Sequence, residues 1–367
     1  MKSISLLIPV LNEEDNLPSL FRALTALRKK SGSLDILFID NGSEDESVSL
    51  IEKFCVSQSG VRLVHEKERG FAQPLNRGLA EAKGEYLLFL DADALPDPNW
   101  AEAMREALAE SDVAVGETSS FLSGRATPYG KLSLALFKNH SASAARAEGH
   151  ALPWGPTCNL GVRRSVFNKV DLFSPEAGGA FDIDWCWRAV LQGARLAYIP
   201  GAKVKHRRRN EREALLHQFD RYGRGEAWLQ RTYAFLTGDE KIDPLQASLE
   251  GYQRLKLRAP KAKGAEEVAV AFASGVRAGY SGFFRPCPLP RPQPSKAVYW
   301  NNAAKGVTVF VPGKGVTEFA GKGLKAWEAV RSGASDAELA AIMTKLFRVP
   351  AKHALAEARE FRKALSV

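Results

Sequence analysis

The sequence has few of the features that define several large classes of protein. Its 367 residues include four cysteines that lie far apart without a CxxC pair, which argues against a disulfide framework and against a cysteine-rich metal site. No stretch approaches the ~18 apolar residues of a membrane-spanning helix, and the N-terminus lacks the basic segment and cleavage site of a secretory signal. We therefore expect a cytoplasmic protein with reduced thiols.

What is present is typical of a folded globular protein. Hydrophobic residues make up 45% and charged residues 25% of the chain, as in ordinary domains, and the length suggests two domains. The formal net charge of +9 is concentrated in two segments. Residues 203–231 hold nine Lys and Arg against four Asp and Glu, and residues 296–367 hold twelve against six. Binding partners with negative charge are therefore expected at these two segments.

Short apolar runs alternate with amphipathic segments in the first quarter of the chain. Such alternation favours a parallel sheet with helices on both faces. Ligands of these sheets bind beyond the carboxyl ends of the strands, and Asp40 and Asp91 lie at two of those ends. The predicted strands are residues 4–9, 35–40, 61–65 and 85–90, and the predicted helices are residues 16–30, 47–55 and 73–82.

A proline-rich segment divides the second half of the chain. Residues 285–294 contain five prolines, which excludes a helix or a central strand and indicates a linker. We assign residues 1–235 to the sheet domain, 236–295 to a helical extension with this linker, and 296–367 to a small C-terminal domain. Further elements predicted before the linker are strands at residues 159–162 and 196–199, a helix at 184–192 and a basic helix after Asn210.

The C-terminal domain has a pattern of its own. Two short predicted strands, residues 307–311 and 316–319, flank a Pro-Gly-Lys-Gly turn. Ser335 and Glu338 have the spacing of a capping box, which predicts that a helix begins there. A last helix is predicted from about Ala351.

Asp91 and Asp93 flank Ala92 directly after the last predicted parallel strand. Alternate residues of an extended chain point to the same side, so both carboxylates are expected to face one space. Hard oxygen ligands of this kind suit Mg²⁺ or Mn²⁺, which would in turn hold a diphosphate. The alternative is an acidic turn that caps the next helix. The sequences LFL before the acids and ALP after them favour the metal site.

Three motifs around these acids resemble family 2 glycosyltransferases of the GT-A fold. They are SLLIPVLNEEDNL at residues 5–17, IDNGSED at 39–45 and RGFAQPLNRGLAEAKGEYLLFLDAD at 69–93. The resemblance implies a Rossmann-like mixed sheet flanked by helices, Mn²⁺ or Mg²⁺, and a nucleotide-sugar donor, with a UDP-sugar favoured. The residues that it assigns to the donor are Pro9, Val10, Asn12, Glu13, Asp40, Asn41, Arg69, Asp91, Ala92 and Asp93.

The same resemblance extends to a catalytic segment. Residues 181–188 look like the ED-x-D segment of the family, with Phe181 at the position of the first acid. In inverting members the Asp of that pair is the general base, which implies this role for Asp182. Asp184 is the alternative base, or a charge at the N-terminus of a helix. His206 follows the predicted strand 196–199, where many members have a histidine, and is implied as a metal ligand beside Asp91 and Asp93 or as a contact of the diphosphate. A surface histidine in a basic segment is the alternative.

Acceptor contacts are implied for a further segment and for one helix. Residues 155–167 look like the acceptor-side segment of the family, which singles out Gly155 and Asn159, and Trp154 beside them is a candidate stacking platform. QFDRY at residues 218–222 loosely resembles the QxxRW segment of processive synthases, so Arg221 is a candidate for binding phosphate or acceptor. Packing in the core is the alternative role for Trp154.

Residues 306–343 resemble the small peptide chaperone of pyrroloquinoline quinone biosynthesis and related precursor-recognition domains. That resemblance implies a winged-helix α+β shape, with a leader peptide added as a strand at the edge formed by residues 316–320. The excess of positive charge suits an acidic leader. A generic winged-helix or oligomerisation domain is the alternative.

These observations lead to one main hypothesis and two alternatives. The main hypothesis is a metal-dependent, inverting hexosyltransferase that modifies a ribosomally made peptide and does not bind nucleic acid. The second hypothesis is a transferase for a lipid-linked or polysaccharide acceptor, with weak contact between residues 203–231 and a membrane surface. The third is a nucleic-acid-binding winged helix on a degenerate nucleotide-binding scaffold, whose DNA affinity would depend steeply on salt.

Overall fold

The computed structural model describes most of the chain. The described residues are 2–147, 151–237, 243–259, 262–281, 298–302, 306–311, 315–320, 325–326, 329–330, 334–347, 350 and 353–359. The proline-rich segment 285–294 and most of the turn between the two predicted C-terminal strands lie outside them.

The four predicted parallel strands and the helices between them are confirmed. The strand β1 pairs in parallel with β2 and β4, and β2 pairs in parallel with β3. Apolar side chains on both faces of these strands are buried, as expected for a sheet that is covered on both sides. The elements are β1 (Ile4–Val10), α1 (Leu17–Ser31), β2 (Asp35–Asp40), α2 (Ser47–Ser57), β3 (Val61–His65), α3 (Ala72–Glu81) and β4 (Tyr86–Phe89).

The second part of this domain makes the sheet mixed, as the resemblance implied. Strand β7 runs antiparallel to both β4 and β6, and β5 runs antiparallel to β8. The strand order is β3-β2-β1-β4-β7-β6-β8-β5. The added elements are β5 (Ala94–Pro96), α4 (Trp100–Glu110), β6 (Val113–Phe121), α5 (Pro128–Leu136), α6 (His140–Ala145), β7 (Leu160–Arg163), α7 (Arg164–Val170), α8 (Phe181–Leu191) and β8 (Leu196–Arg207).

Strand β8 is longer than predicted and changes the place of His206. The prediction ended this strand at Ile199, whereas it continues to Arg207 past an irregularity in its pairing with β6 at Gly116/Glu117. His206 therefore lies within the strand, opposite Ala94, and not in a loop after it. The N–H of Arg207 donates to the carbonyl of Asp93, which fixes the end of β8 beside the paired acids.

The helices that follow the sheet pack as a separate layer. Helix α9 lies against α12 at close range, since a Cβ at Gly223 would come 2.1 Å from the carbonyl oxygen of Phe272, and one at Gly275 would come 2.0 Å from that of Asp220. The residues 236–295 thus contribute two helices to the folded body. The helices of this layer are α9 (Arg212–Thr232), α10 (Ala234–Thr237), α11 (Pro244–Arg258) and α12 (Ala265–Ser281).

The C-terminal segment contains a three-stranded antiparallel sheet in the order β11-β10-β9. The capping box is confirmed, because the backbone N–H of Ser335 donates to the Glu338 carboxylate and the Glu338 N–H donates to the Ser335 hydroxyl. The winged-helix arrangement stays a prediction. The elements are β9 (Val298–Asn302), β10 (Gly306–Val311), β11 (Gly315–Ala320) and α13 (Asp336–Phe347), and residues 353–359 are helical.

Candidate active site

A cavity of about 690 Å³ opens beyond the carboxyl ends of β1 and β4. One part of its lining comes from the sheet domain, and another part comes from α9, α11 and α12. We call this second part the helical wall; it is formed by Gln218, Phe219, Arg221, Tyr222, Glu226, Leu229, Arg254, Leu255, Arg258 and Phe272. A cavity of this size is in the range of small-ligand sites.

Three of the sequence-predicted residues meet at the end of β4. The Nε2 atom of His206 lies 2.9 Å from Oδ1 of Asp93 and 3.6 Å from Oδ2 of Asp91. Asp93 and His206 are largely buried, whereas the Asp91 side chain is about one-third exposed. Cys158 is a residue that sequence reasoning did not place here: its sulfur and ligand atoms of Asp91 and His206 all lie within 4.8 Å of one another.

The acidic groups of this cluster are buried close to one another, with His206, Arg208 and Arg209 as neighbouring positive charges. Burial, together with repulsion from Asp93 and Asp91, raises the pKa of Glu13 to about 7. Burial likewise raises the pKa of Asp91 to about 6 and that of Asp182 to about 7. A divalent cation would relieve this repulsion, since carboxylate oxygens and imidazole nitrogen are ordinary ligands of Mn²⁺.

Histidine 206 is held in its charged form by the same cluster. Burial alone would lower its pKa, but the Asp93 carboxylate overrides burial and raises the pKa to about 10. Its second ring nitrogen, Nδ1, is buried without a hydrogen-bond partner among the described residues. A bound cation would displace the proton from the ring, because a metal ligand must be neutral imidazole.

The residues predicted to contact the donor divide into two groups. Pro9, Val10, Glu13, Asn41 and Ala92 line the cavity together with the paired acids. The others, Asn12, Asp40 and Arg69, do not appear in that lining, and each one holds a neighbouring loop.

Asp40 fixes the turn that follows β2. Its carboxylate accepts hydrogen bonds from the backbone N–H groups of Gly42 and Ser43 at 3.1 and 3.0 Å. Burial would raise the pKa of Asp40, but these bonds hold it below its ordinary value. Arg69 donates to the Gly42 carbonyl at 2.6 Å, and the Asn12 side chain accepts from the Glu44 N–H at 2.8 Å. The described contacts of these three residues are therefore those of loop supports.

The two candidate bases differ completely in environment. Asp182 lines the cavity at the start of α8. Asp184 is fully buried away from the cavity: Oδ2 accepts from Nε of Arg188 at 3.0 Å, and Oδ1 accepts from the Tyr233 hydroxyl at 2.7 Å. The catalytic prediction for Asp184 is corrected here, because a carboxylate engaged on both oxygens inside the core cannot reach a substrate.

Most of the acceptor-side segment, residues 155–167, is buried in the core. The Asn159 side chain accepts from the indole N–H of Trp100 at 2.7 Å and donates to the carbonyls of Glu117 and Ala202. The acceptor prediction for Asn159 is corrected, since its side chain is fully buried in these contacts. Gly155 is corrected for a related reason: it is buried and lies so close to Val115 that a Cβ would approach a valine methyl to 2.4 Å.

Two acceptor candidates do line the cavity. Trp154 contributes to the lining although it is largely buried, and its ring lies edge-on to His140 at 5.3 Å. Arg221 contributes from α9, with its guanidinium 4.7 Å from the ring centre of Phe71. Phe71 in turn stacks on Phe181 with the two ring planes 5° apart. The sequence had shown Phe181 as a departure from the family pattern, and the structure gives that departure an aromatic neighbour.

Comparison with known proteins indicates the class of enzyme to which this site belongs. Residues 5–171 match the family described as "Glycosyl transferase family 2". Glycosyltransferase AglE of Haloferax volcanii is 26% identical over 225 residues, which cover 61% of this chain and 72% of that protein. The pre-mycofactocin glycosyltransferase of Mycobacterium tuberculosis is 29% identical over 219 residues, which cover 57% of this chain and 44% of its own length.

A solved structure supports the fold. The mannosyltransferase PcManGT from Pyrobaculum calidifontis, in complex with GDP-Man and Mn²⁺, superimposes with a TM-score of 0.53 at 16% identity and covers 76% of this chain and 87% of its own. Among the described residues, none of the helices combines the length and hydropathy that crossing a bilayer requires. Residues 5–171 are thus similar to family 2 glycosyltransferases, and the protein is a glycosyltransferase.

Proposed function

We propose that this glycosyltransferase moves a hexose from a nucleotide-sugar donor, with a UDP-sugar favoured, and inverts the anomeric centre with the help of Mn²⁺ or Mg²⁺. The observation that carries the proposal is the cluster of Asp91, Asp93 and His206 at the cavity, with the buried carboxyl group of Glu13 near the two acids. The aligned mannosyltransferase holds GDP-Man and Mn²⁺, which supports the same kinds of ligand here.

The residues present fit a divalent cation. Asp91 and Asp93 would supply hard oxygen atoms and His206 a nitrogen atom, with Cys158 close enough to be a neighbour. When bound, the cation neutralises the negative charge of the donor diphosphate as it leaves. Residues of the chain itself form the rest of this side of the site. Pro9 and Val10 line the part of the cavity that would hold the nucleotide, and Glu13 lies beside the two acids.

Asp182 is the proposed general base. Its carboxylate faces the cavity and its pKa is raised to about 7 by burial, which suits a group that must accept a proton near neutral pH. It takes the proton from the acceptor nucleophile while that atom forms the new bond to the anomeric carbon. The bond between the anomeric carbon and the diphosphate breaks on the opposite face.

Donor hydrolysis tests the catalytic proposal. Purified protein is incubated with Mn²⁺ and a panel of UDP-, GDP- and TDP-sugars, and the release of nucleoside diphosphate is measured. We expect release with one donor, loss of at least about a hundredfold in Asp91→Ala and Asp93→Ala, and no change in Glu110→Gln at the exposed end of α4. The proposal is overturned if no donor is bound or cleaved and the acid variants behave like the parent.

We further propose a peptide as the acceptor, recognised through residues 296–367. Two observations support it: the antiparallel sheet of this segment has β11 at one edge, where a peptide strand could add, and one relative is a pre-mycofactocin glycosyltransferase. Peptides encoded by short reading frames next to the gene would be tested by fluorescence polarisation. The variants Val316→Pro and Thr317→Pro each remove one backbone N–H donor from β11. At least one of them should lose peptide binding. If both variants bind the peptide with the affinity of the parent protein, the proposal is contradicted.

The lipid-linked acceptor stays a second candidate because of the excess positive charge of residues 203–231. Lys203 and Lys205 on β8 and Arg209 after it are exposed, and such groups attract anionic lipid. Co-sedimentation with vesicles that contain anionic lipid, at low and high salt, tests it. Salt-sensitive binding would favour this acceptor, and its absence would remove the candidate.

A further inference from the structure

The helical wall carries a positive group without a negative partner. Among the described residues, no carboxylate forms an ion pair with Arg221, and its Nε is buried without a hydrogen-bond partner. The ring of Phe71 covers the guanidinium at 4.7 Å and limits its movement. Burial lowers the pKa of Arg221, as it does for a cation whose charge is not compensated.

Helix α11 adds further positive charge to the same wall. Arg254 and Arg258 line the cavity there, while Glu226 is the acid that the wall contains. Arg254 binds Glu226 at 3.2 Å, so Glu226 is already engaged by an arginine. The helical wall therefore has a net positive charge, in contrast to the acidic groups at the end of β4.

Most of the remaining wall residues are apolar, with Gln218 and Tyr222 as the exceptions. Phe219, Leu255 and Phe272 line the cavity and are themselves more than nine-tenths buried. A ligand at this wall would meet a charged group and an apolar surface side by side. A planar guanidinium binds carboxylate and phosphate groups through paired hydrogen bonds.

From these observations we propose that the acceptor is an organic anion whose phosphate or carboxylate group binds Arg221 and whose apolar body lies on Phe219, Leu255 and Phe272. This inference rests on the proposed function, because it names the chemical group that the acceptor, whether a peptide or a lipid-linked molecule, would present to that same site. In the proposed function the cluster of Asp91, Asp93 and His206 serves the donor diphosphate, which leaves the helical wall to a second anionic group. The helical wall thus makes the acceptor end chemically distinct from the donor end.

Calorimetry on the full chain tests this inference with simple probes. With GDP or UDP and Mn²⁺ saturating the donor end, binding of phenyl phosphate, phenylacetate and neutral 2-phenylethanol is measured. We expect one or both anions to bind and the alcohol to bind at least about tenfold more weakly, because it lacks the charge. The preferred anion identifies the group as phosphate or carboxylate. Equal binding of the alcohol, or no binding of either anion, would overturn the inference.

Matched variants locate the anion. Arg221→Gln should weaken anion binding about tenfold. The anion affinity of Arg221→Lys should lie between that of the parent and that of Arg221→Gln. Phe71→Leu changes a partly exposed ring and tests the same contact if Arg221→Gln does not fold. Arg224→Gln, an exposed position on the same helix that pairs with Asp220, is the control and should bind as the parent does. Unchanged anion binding in both Arg221→Gln and Phe71→Leu would also overturn the inference.

Hydrolysis of the donor by the unaltered protein keeps the two proposals apart. If a donor is cleaved but anions do not bind, the proposed function stands and the anionic acceptor is rejected. If no donor is bound or cleaved, the proposed function fails, and the anionic acceptor is rejected with it.

Discussion

At the scale of single residues, burial assigns different work to carboxylates that look alike in the sequence. Asp182 and Asp184 are separated by one residue at the start of α8. Asp182 faces the cavity, whereas Asp184 is clamped between Arg188 and Tyr233 in the interior. The first is available to a substrate and the second stabilises the position of the helix that carries it.

The raised pKa of Asp182 predicts how the rate depends on pH. A base must be deprotonated to act, so kcat/KM for transfer should fall about tenfold per pH unit below a midpoint near pH 7. Asp182→Asn should lower kcat by about a hundredfold or more and remove this dependence. The measurement is a pH series of initial rates at saturating Mn²⁺. A flat profile down to about pH 5 in the parent protein would refute the assignment.

Asp184→Asn should instead lower stability. The change leaves the Arg188 guanidinium buried without its counter-charge, which costs about 3–5 kcal/mol in free energy of unfolding. The matched control is Asp220→Asn, which removes an i,i+4 pair with Arg224 that is partly exposed and should cost less than about 1 kcal/mol. Urea titration followed by circular dichroism gives both values. Similar losses in the two variants would show that burial does not govern the cost.

At the scale of elements, the sequence predicts the helices themselves better than it predicts the contacts between them. The strands and helices of the first quarter follow from apolar periodicity alone. The continuation of β8 had a signal as well, since Ala202 and Val204 are buried while Lys203 and Lys205 are exposed, which is the alternation of a half-buried strand. Pro200 and Gly201 interrupt that alternation, so the prediction stopped too early.

The close approach of α9 and α12 can be tested with one methyl group. Gly223→Ala places a Cβ against the backbone of α12, and the helices must separate, at a cost of roughly 1–3 kcal/mol in free energy of unfolding. Chemical denaturation measures the loss. Gly201→Ala is the control, because nothing lies within 4 Å of that Cβ and no loss is expected. A stable Gly223→Ala variant would mean that the helix layer adapts easily.

At the scale of the whole molecule, the active cavity joins parts of the chain that are far apart in sequence. The sheet domain supplies the acids near Asp91, and the extension supplies Arg254 and Phe272. The cavity therefore combines the carboxylates at the end of β4, which have Arg208 and Arg209 near them, with the basic helical wall. The net charge of +9 gives no sign of this arrangement, because it sums over the whole chain.

Divalent cations should stabilise the folded protein in a pH-dependent way. Without metal, Glu13 and Asp91 have pKa values of about 7 and 6, above those of the unfolded chain, so their contribution to stability is present at low pH and is lost as the pH rises through 6 to 7. Protons compete with the metal for these groups. The increase in Tm caused by Mn²⁺ should therefore be larger at about pH 8 than at about pH 5.5.

The double variant Asp91→Ala/Asp93→Ala provides the control for this experiment. It lacks both acids of the cluster, so Mn²⁺ should leave its Tm unchanged at either pH. An equal Mn²⁺ effect in the parent and in the double variant would show that the cation stabilises the protein elsewhere.

The sequence by itself determined the parallel strands, the position of the paired acids after β4 and the class of chemistry, because these depend on local periodicity and on short motifs. Only the tertiary structure decided that Asn159 and Asp184 belong to the core, that His206 reaches Asp93 from within a strand, and that Arg221 has an aromatic neighbour in place of an acid. The physical reason is that the burial of a side chain and its hydrogen-bond or ion-pair partners are set by residues that are distant along the chain. A side chain acts on a substrate only where those distant residues leave its polar atoms unengaged.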